Sequence, residues 1–420
     1  MKNKRIWSVA LLMLFLMPVA AFALMQFSGS SGRLADYAKA IPDDAIARLQ
    51  EKIDAGEVTL EFDEQNGYLK SLLKVLRIPA SSQSLVYSKT SFQLDKIAPW
   101  SPRAIYFNDD VYIGWVKHGH VIEVASADPK IGAVFYTLNQ EAVSKPKFDR
   151  QFSNCLQCHD SNLNTGGVPG FVVQSVYPDR YGYPLPSPHN PVTSDRTPLR
   201  ERFGGWYVTG TSGDQVHMGN FVAAQAAHEI GNIGIFLERL NLETTKNVTD
   251  LRPRFDTQEY LSKGSDIAAL MLLVHQTYVH NLMTQASFEG RPEAQNNKAE
   301  ALVRGLLFVR EARLTSPLRG SEQFVRDFSG AGPRDHKGRS LRDLDLNQRL
   351  LKYPLSYLIY SDGFDALPVT ARSYVYRRLQ SILSGEDQSP EFAHLTPDLR
   401  EAILQILLET KPGFAETAGR

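Results

Sequence analysis

Apolar positions in this chain follow helical spacing first, then strand-like runs, then helical spacing again. Across residues 34–76, Leu49 and Ile53 are helically spaced, and Leu69, Leu72, Leu73 and Leu76 form a stripe. Pro42 followed by Asp43 and Asp44 suits a helix start, because acidic groups stabilise a first turn. Residues 82–138 change character. Runs at 111–116, 121–124 and 133–138 are β-branched or aromatic, with turn residues between them. The pattern predicts an antiparallel meander.

Residues 171–177 and 204–210 also read as strands, framing a Pro/Tyr-rich loop with Pro178, Pro184, Pro186, Pro188 and Pro191. That loop either covers part of a site or is a surface connection. Residues 221–240 read as one helix interrupted near Gly231 and Gly234. Residues 265–288 are strongly helical, with Ser265 as the expected N-cap and Asp266 in the first turn. Ile267, Met271, Val274, Tyr278 and Leu282 form one stripe; His275 falls inside it and His280 opposite. Residues 297–314, 350–360, 370–383 and 397–408 read as further packed helices, with a polar, charge-rich connection at 316–345. The expected fold class is α+β: an antiparallel β-rich region followed by a mainly helical C-terminal part. The expected division is an export segment at 1–23, an α+β region at 24–260 and a helical region at 261–420.

Composition narrows the function. With 46 basic and 46 acidic residues the net charge is zero, so no basic field exists for nucleic acid. A 43% hydrophobic content suits a packed globular chain. At the N-terminus Lys2, Lys4 and Arg5 precede an unbroken apolar run from Val9 to Met25, and Ala21-Phe22-Ala23 fits a small-x-small cleavage site. A cleaved signal peptide is the favoured reading; an inner-membrane anchor through residues 6–25 is the competing one.

The two cysteines are the only ones, and they fall within Cys155-Leu156-Gln157-Cys158-His159. Cys-x-x-Cys-His reads as a c-type haem attachment site, with each thiol adding to one vinyl group and the imidazole ligating the iron. A thiol–disulfide motif is the alternative; a zinc site lacks further cysteines. The stretch is similar to the haem-binding segment of the c-type cytochromes, and the likeness runs on through His159-Asp160-Ser161-Asn162-Leu163-Asn164-Thr165-Gly166-Gly167-Val168-Pro169-Gly170. The resemblance implies one covalent haem c and a location outside the cytoplasm, periplasmic or otherwise exported. It also implies a backbone carbonyl at Pro169 accepting from the second ring nitrogen of His159. The chain departs from the small cytochromes in having no amphipathic helix before the motif. A haem held at the edge of a mixed α+β body is therefore expected. Residues 102–107 and 352–360 also resemble large exported bacterial cytochrome-like proteins.

Candidates for the far side of the iron are Met218, whose thioether suits electron transfer, and its neighbour His217, of which at most one reaches the metal. His275 faces the core or a haem pocket, and the core is favoured. His118 and His120 lie beside a turn glycine and read as solvated. The leading reading is an exported mono-haem cytochrome exchanging single electrons with a redox partner protein. The alternatives are a haem enzyme (peroxidase or oxygenase) with an open distal site, or a haem sensor.

Overall fold

The computed structural model describes residues 36–188, 190–288 and 292–417. The unit Asp43–Arg420 holds all the elements named here. The expected export segment and anchor lie outside the described residues. Among the described residues no helix is long and apolar enough to cross a membrane.

The fold is α+β. Helix α1 (Ala45–Ala55) buries Ile46, Leu49 and Ile53. Asp44 caps it, accepting from the Ile46 N–H at 2.8 Å and the Ala47 N–H at 3.3 Å. Its other oxygen accepts from the Tyr136 hydroxyl at 2.6 Å, tying the helix start to the sheet. Helix α2 (Leu69–Val75) buries Leu69, Leu72 and Leu73, as the stripe predicts.

Six strands follow: β1 (Ser84–Val86), β2 (Arg103–Phe107), β3 (Val111–Trp115), β4 (Val121–Asp128), β5 (Gly132–Asn139) and β6 (Phe148–Gln151). They form one antiparallel sheet in sequence order. Side chains alternate between faces, and β4 shows the consequence. Ile122, Val124, Ser126 and Asp128 are buried, whereas Val121, Glu123, Ala125 and Ala127 are only half-buried. One face is core; the other is partly open.

Helix α3 (Ser153–His159) starts one residue after β6. Residues 171–177 and 204–210 join no ladder; they make isolated bridges, Gln174 with Val192, Trp206 with Val86 and Thr209 with Asp266. The prolines between them withhold the donors that a ladder needs. Residues 221–240 keep one 3-10 turn, Ala227–Glu229, and one short α-helix, α4 (Ile233–Glu238), none of whose residues is buried. Helical spacing needs a surface to pack on, and here it has little.

The C-terminal part is helical: α5 (Ile267–Phe288), α6 (Pro292–Leu306), α7 (Glu322–Gly330), α8 (Asp362–Asp365), α9 (Val369–Ser384), α10 (Pro397–Thr410) and α11 (Phe414–Thr417). The cap of α5 is not Ser265. Asp266 accepts from the Ala268 and Ala269 N–H groups at 2.8 and 3.0 Å, and the Ser265 hydroxyl accepts from the Leu85 N–H at 2.8 Å. Buried residues surround α5 on every side, so both His275 and His280 are interior. Residues 350–360 form a 3-10 turn only, Tyr357–Tyr360, because Pro354 breaks the helical run.

Asp44→Ala removes a cap and takes a partner from the buried Tyr136 hydroxyl, and should cost about 2–4 kcal/mol in urea unfolding. Asp44→Asn, which keeps the capping oxygen, should cost less than half of that. Equal losses would mean that the cap contributes nothing.

Candidate functional site

On α3, Cys155, Cys158 and His159 stand three and four residues apart and so share one face. Leu156, within the same helix, is buried. Both thiols are free; Cys155 is half-buried and Cys158 exposed. Burial, and after it the Glu123 carboxylate and Cys158, push the Cys155 thiol up to about 11. A dithiol exchange centre needs the opposite shift, toward thiolate at neutral pH.

The His159 ring is half-buried and lies 4.6 Å from the Phe135 ring, tilted by 52°. Its Nδ1 is 2.9 Å from the Gly170 carbonyl oxygen. A carbonyl can only accept, so Nδ1 carries the hydrogen and Nε2 keeps its lone pair. Burial holds the ring below the usual imidazole range, against the pull of the Gly170 hydrogen bond. With Nδ1 turned to Gly170, Nε2 is the nitrogen left to act as a ligand.

The carbonyl on His159 is Gly170's, one residue beyond the expected Pro169. Pro169 is committed elsewhere: its carbonyl accepts from the Ala133 N–H at 3.0 Å. The approach is close enough that a Cβ on Gly132 would lie 2.4 Å from that oxygen, and Gly132 sits at φ +83°. Only glycine fits there. From the other side Asn281 on α5 grips Phe171, accepting from its N–H and donating to its C=O, both at 2.8 Å. Gln285 donates to the Thr165 carbonyl at 3.0 Å. The segment 165–171 is therefore held between β5 and α5, and it holds His159 in turn.

The half-open sheet face beside α3 carries an ion pair. Arg103 Nη1 lies 2.6 Å from Glu123 Oε2, and the Arg103 side chain crosses Gly114 to reach it. Gln93 donates to the second Glu123 oxygen at 3.1 Å. Arg103 Nε is buried without a hydrogen-bond partner. These residues fit a tethered haem by the chemistry of the donor set: one exposed and one half-buried thiol, one imidazole whose Nδ1 faces a carbonyl, and a buried cationic N–H without a partner. Among the described residues no group of three His, Cys, Asp or Glu side chains is placed to hold a bare metal ion.

The distal candidates lie elsewhere. Met218 is buried, its sulfur accepting from the Ser175 hydroxyl at 3.5 Å and its methyl packed against Gly204. His217 is buried edge-on to Phe203, and burial brings its pKa down to about 4. Among the described residues, no hydrogen bond or ring contact links either of them to His159. His275 has no nitrogen to spare. Nδ1 is 2.9 Å from Asp195 Oδ2, Nε2 is 2.8 Å from Ser356 Oγ, and the ring stacks on Phe308 at 4.2 Å. The order Asp–His–Ser is that of a hydrolytic relay, but Ser356 is fully buried and its hydroxyl caps the Tyr357–Tyr360 turn. It is a satisfied core network.

The Pro/Tyr-rich loop packs along other backbone: the Lys89 N–H reaches the Gly182 carbonyl and the Ala223 N–H that of Pro178. Sequence reasoning missed Arg103, Glu123, Phe135 and Asn281, which are distant in the chain from the motif. Comparison with family models, curated proteins and solved structures found no match.

Asn281→Ala strips the buried Phe171 peptide groups of both partners and should cost about 2–4 kcal/mol in urea unfolding. A change below about 0.5 kcal/mol, the scale of an ordinary surface substitution, would mean that the clamp is not a structural element.

Proposed function

We propose that this chain is an exported mono-haem c-type cytochrome that passes single electrons, tethered through Cys155 and Cys158 with His159 as proximal ligand. The observation that carries the reading is the shared face of the three motif side chains, with His159 fixed in the Nε2-free tautomer by Gly170. When bound, the haem supplies an iron centre able to accept and release one electron. The protein's part is orientation and electrostatics. Gly170 orients the imidazole; Phe135 packs its side; Arg103 offers a cationic donor, while Glu123 sets a carboxylate against the attachment face. The exposure of Cys158 leaves the attachment face near solvent, which suits electron exchange with a partner protein. The export pattern at residues 1–25 agrees with periplasmic maturation, as a cleaved leader or a retained anchor.

A second reading has its own support. Met218 and His275 are already engaged, so an open sixth position, as in a haem peroxidase, oxygenase or gas sensor, fits the side chains as they stand. Absorption spectra of the holoprotein separate the two. The carrier predicts a low-spin, six-coordinate reduced spectrum that carbon monoxide leaves unchanged, and loss of all visible absorbance in Cys155→Ala/Cys158→Ala. A five-coordinate high-spin spectrum with ready carbon monoxide binding would replace the carrier by the open-site reading.

A further inference from the structure

A cavity of about 340 Å³ opens between the C-terminal end of α2, the β2–β3 turn and α7. Its volume lies within the range of small-ligand sites. Phe107, Phe324 and Phe328 wall it; the last two are stacked at 6.2 Å, and Phe107 lies 6.4 Å from Phe324. Leu73 and Ile78 complete the apolar floor. Flat apolar walls favour a flat apolar guest.

The rim is cationic. Lys74 and Arg77 are exposed and, among the described residues, have no side-chain hydrogen bond or ion pair. Of the two acids that line the cavity, one is ion-paired and the other is held by neutral donors. Asp109 is paired with the buried Arg342, whose guanidinium lies over the rings of Phe328 at 4.9 Å and Tyr357 at 4.4 Å. Asp327 accepts from the Ser81 hydroxyl at 2.5 Å and from Gln323 at 2.7 Å. With Arg342 and Asp109 paired, Lys74 and Arg77 against Asp327 leave one positive charge in excess at the mouth of an aromatic slot.

Arg77 also sits where glycine is the usual choice. It follows α2 at φ +55°, with the Ile78 N–H closing onto the Leu73 carbonyl at 2.8 Å. A long cationic side chain is kept there at a cost in backbone strain, and it lines the cavity.

We propose that this cavity binds a small aromatic carboxylate, its ring between Phe107, Phe324 and Phe328 and its carboxylate on Arg77 and Lys74. The guest brings the charge that the rim lacks and the planar apolar body that the walls accept. The proposal is independent of what α3 carries.

Titration calorimetry on the full chain with 2-naphthoate and its neutral isostere 2-naphthamide tests it. The acid should bind about tenfold or more tightly than the amide, each factor of ten being about 1.4 kcal/mol. Lys74→Gln/Arg77→Gln should remove that preference without moving the thermal midpoint, since both side chains are exposed. Equal binding of acid and amide, an undiminished preference in the double variant, or no heat with millimolar acid would each overturn the assignment.

Discussion

The grip of Asn281 on the Phe171 peptide is the constraint from which the candidate site follows. An amide side chain that satisfies both polar groups of one buried residue leaves that residue no alternative position of comparable energy. Gly170 is the residue before it, so its carbonyl is fixed in space, and His159 meets a placed acceptor. The tautomer follows from that acceptor alone. Long-range packing by α5 thus sets a chemical property of a ring more than a hundred residues earlier in the chain.

Electrostatics around α3 points the same way. Burial, and after it the Glu123 carboxylate, push the Cys155 thiol up, while burial holds the His159 ring below the usual imidazole range. A thiolate relay requires the reverse shift at the cysteine. The Arg103 Nε–H is buried without a hydrogen-bond partner. Burying a guanidinium N–H without a partner is unfavourable, and an incoming anion would relieve it.

Much of the fold was legible in the sequence because its signals are local. The stripes of α1 and α2, the run–turn alternation of β3 to β5 and the long apolar stretch of α5 each report a face that is buried. Where the reading failed, the deciding partner was distant. Ser265 looks like a cap in isolation, yet its hydroxyl is claimed by Leu85, and Asp266 caps instead. Residues 204–210 have strand composition, but they make only two isolated bridges, Trp206 with Val86 and Thr209 with Asp266. At the site, Cys155, Cys158 and His159 were readable from spacing. Gly170 in place of Pro169 was not, since Ala133 competes for the Pro169 carbonyl and nothing near the motif reveals it. His275 shows the same limit: its stripe position marks it as interior, but only the folded chain brings Asp195 and Ser356 to its two nitrogens.

The most direct test is acid–acetone extraction of the mature chain after expression in a host that exports and ligates haem, followed by intact-protein mass. The account predicts that the pigment stays with the polypeptide, whose mass is raised by a single haem. A colourless chain, or one whose pigment leaves entirely with the solvent, would contradict it.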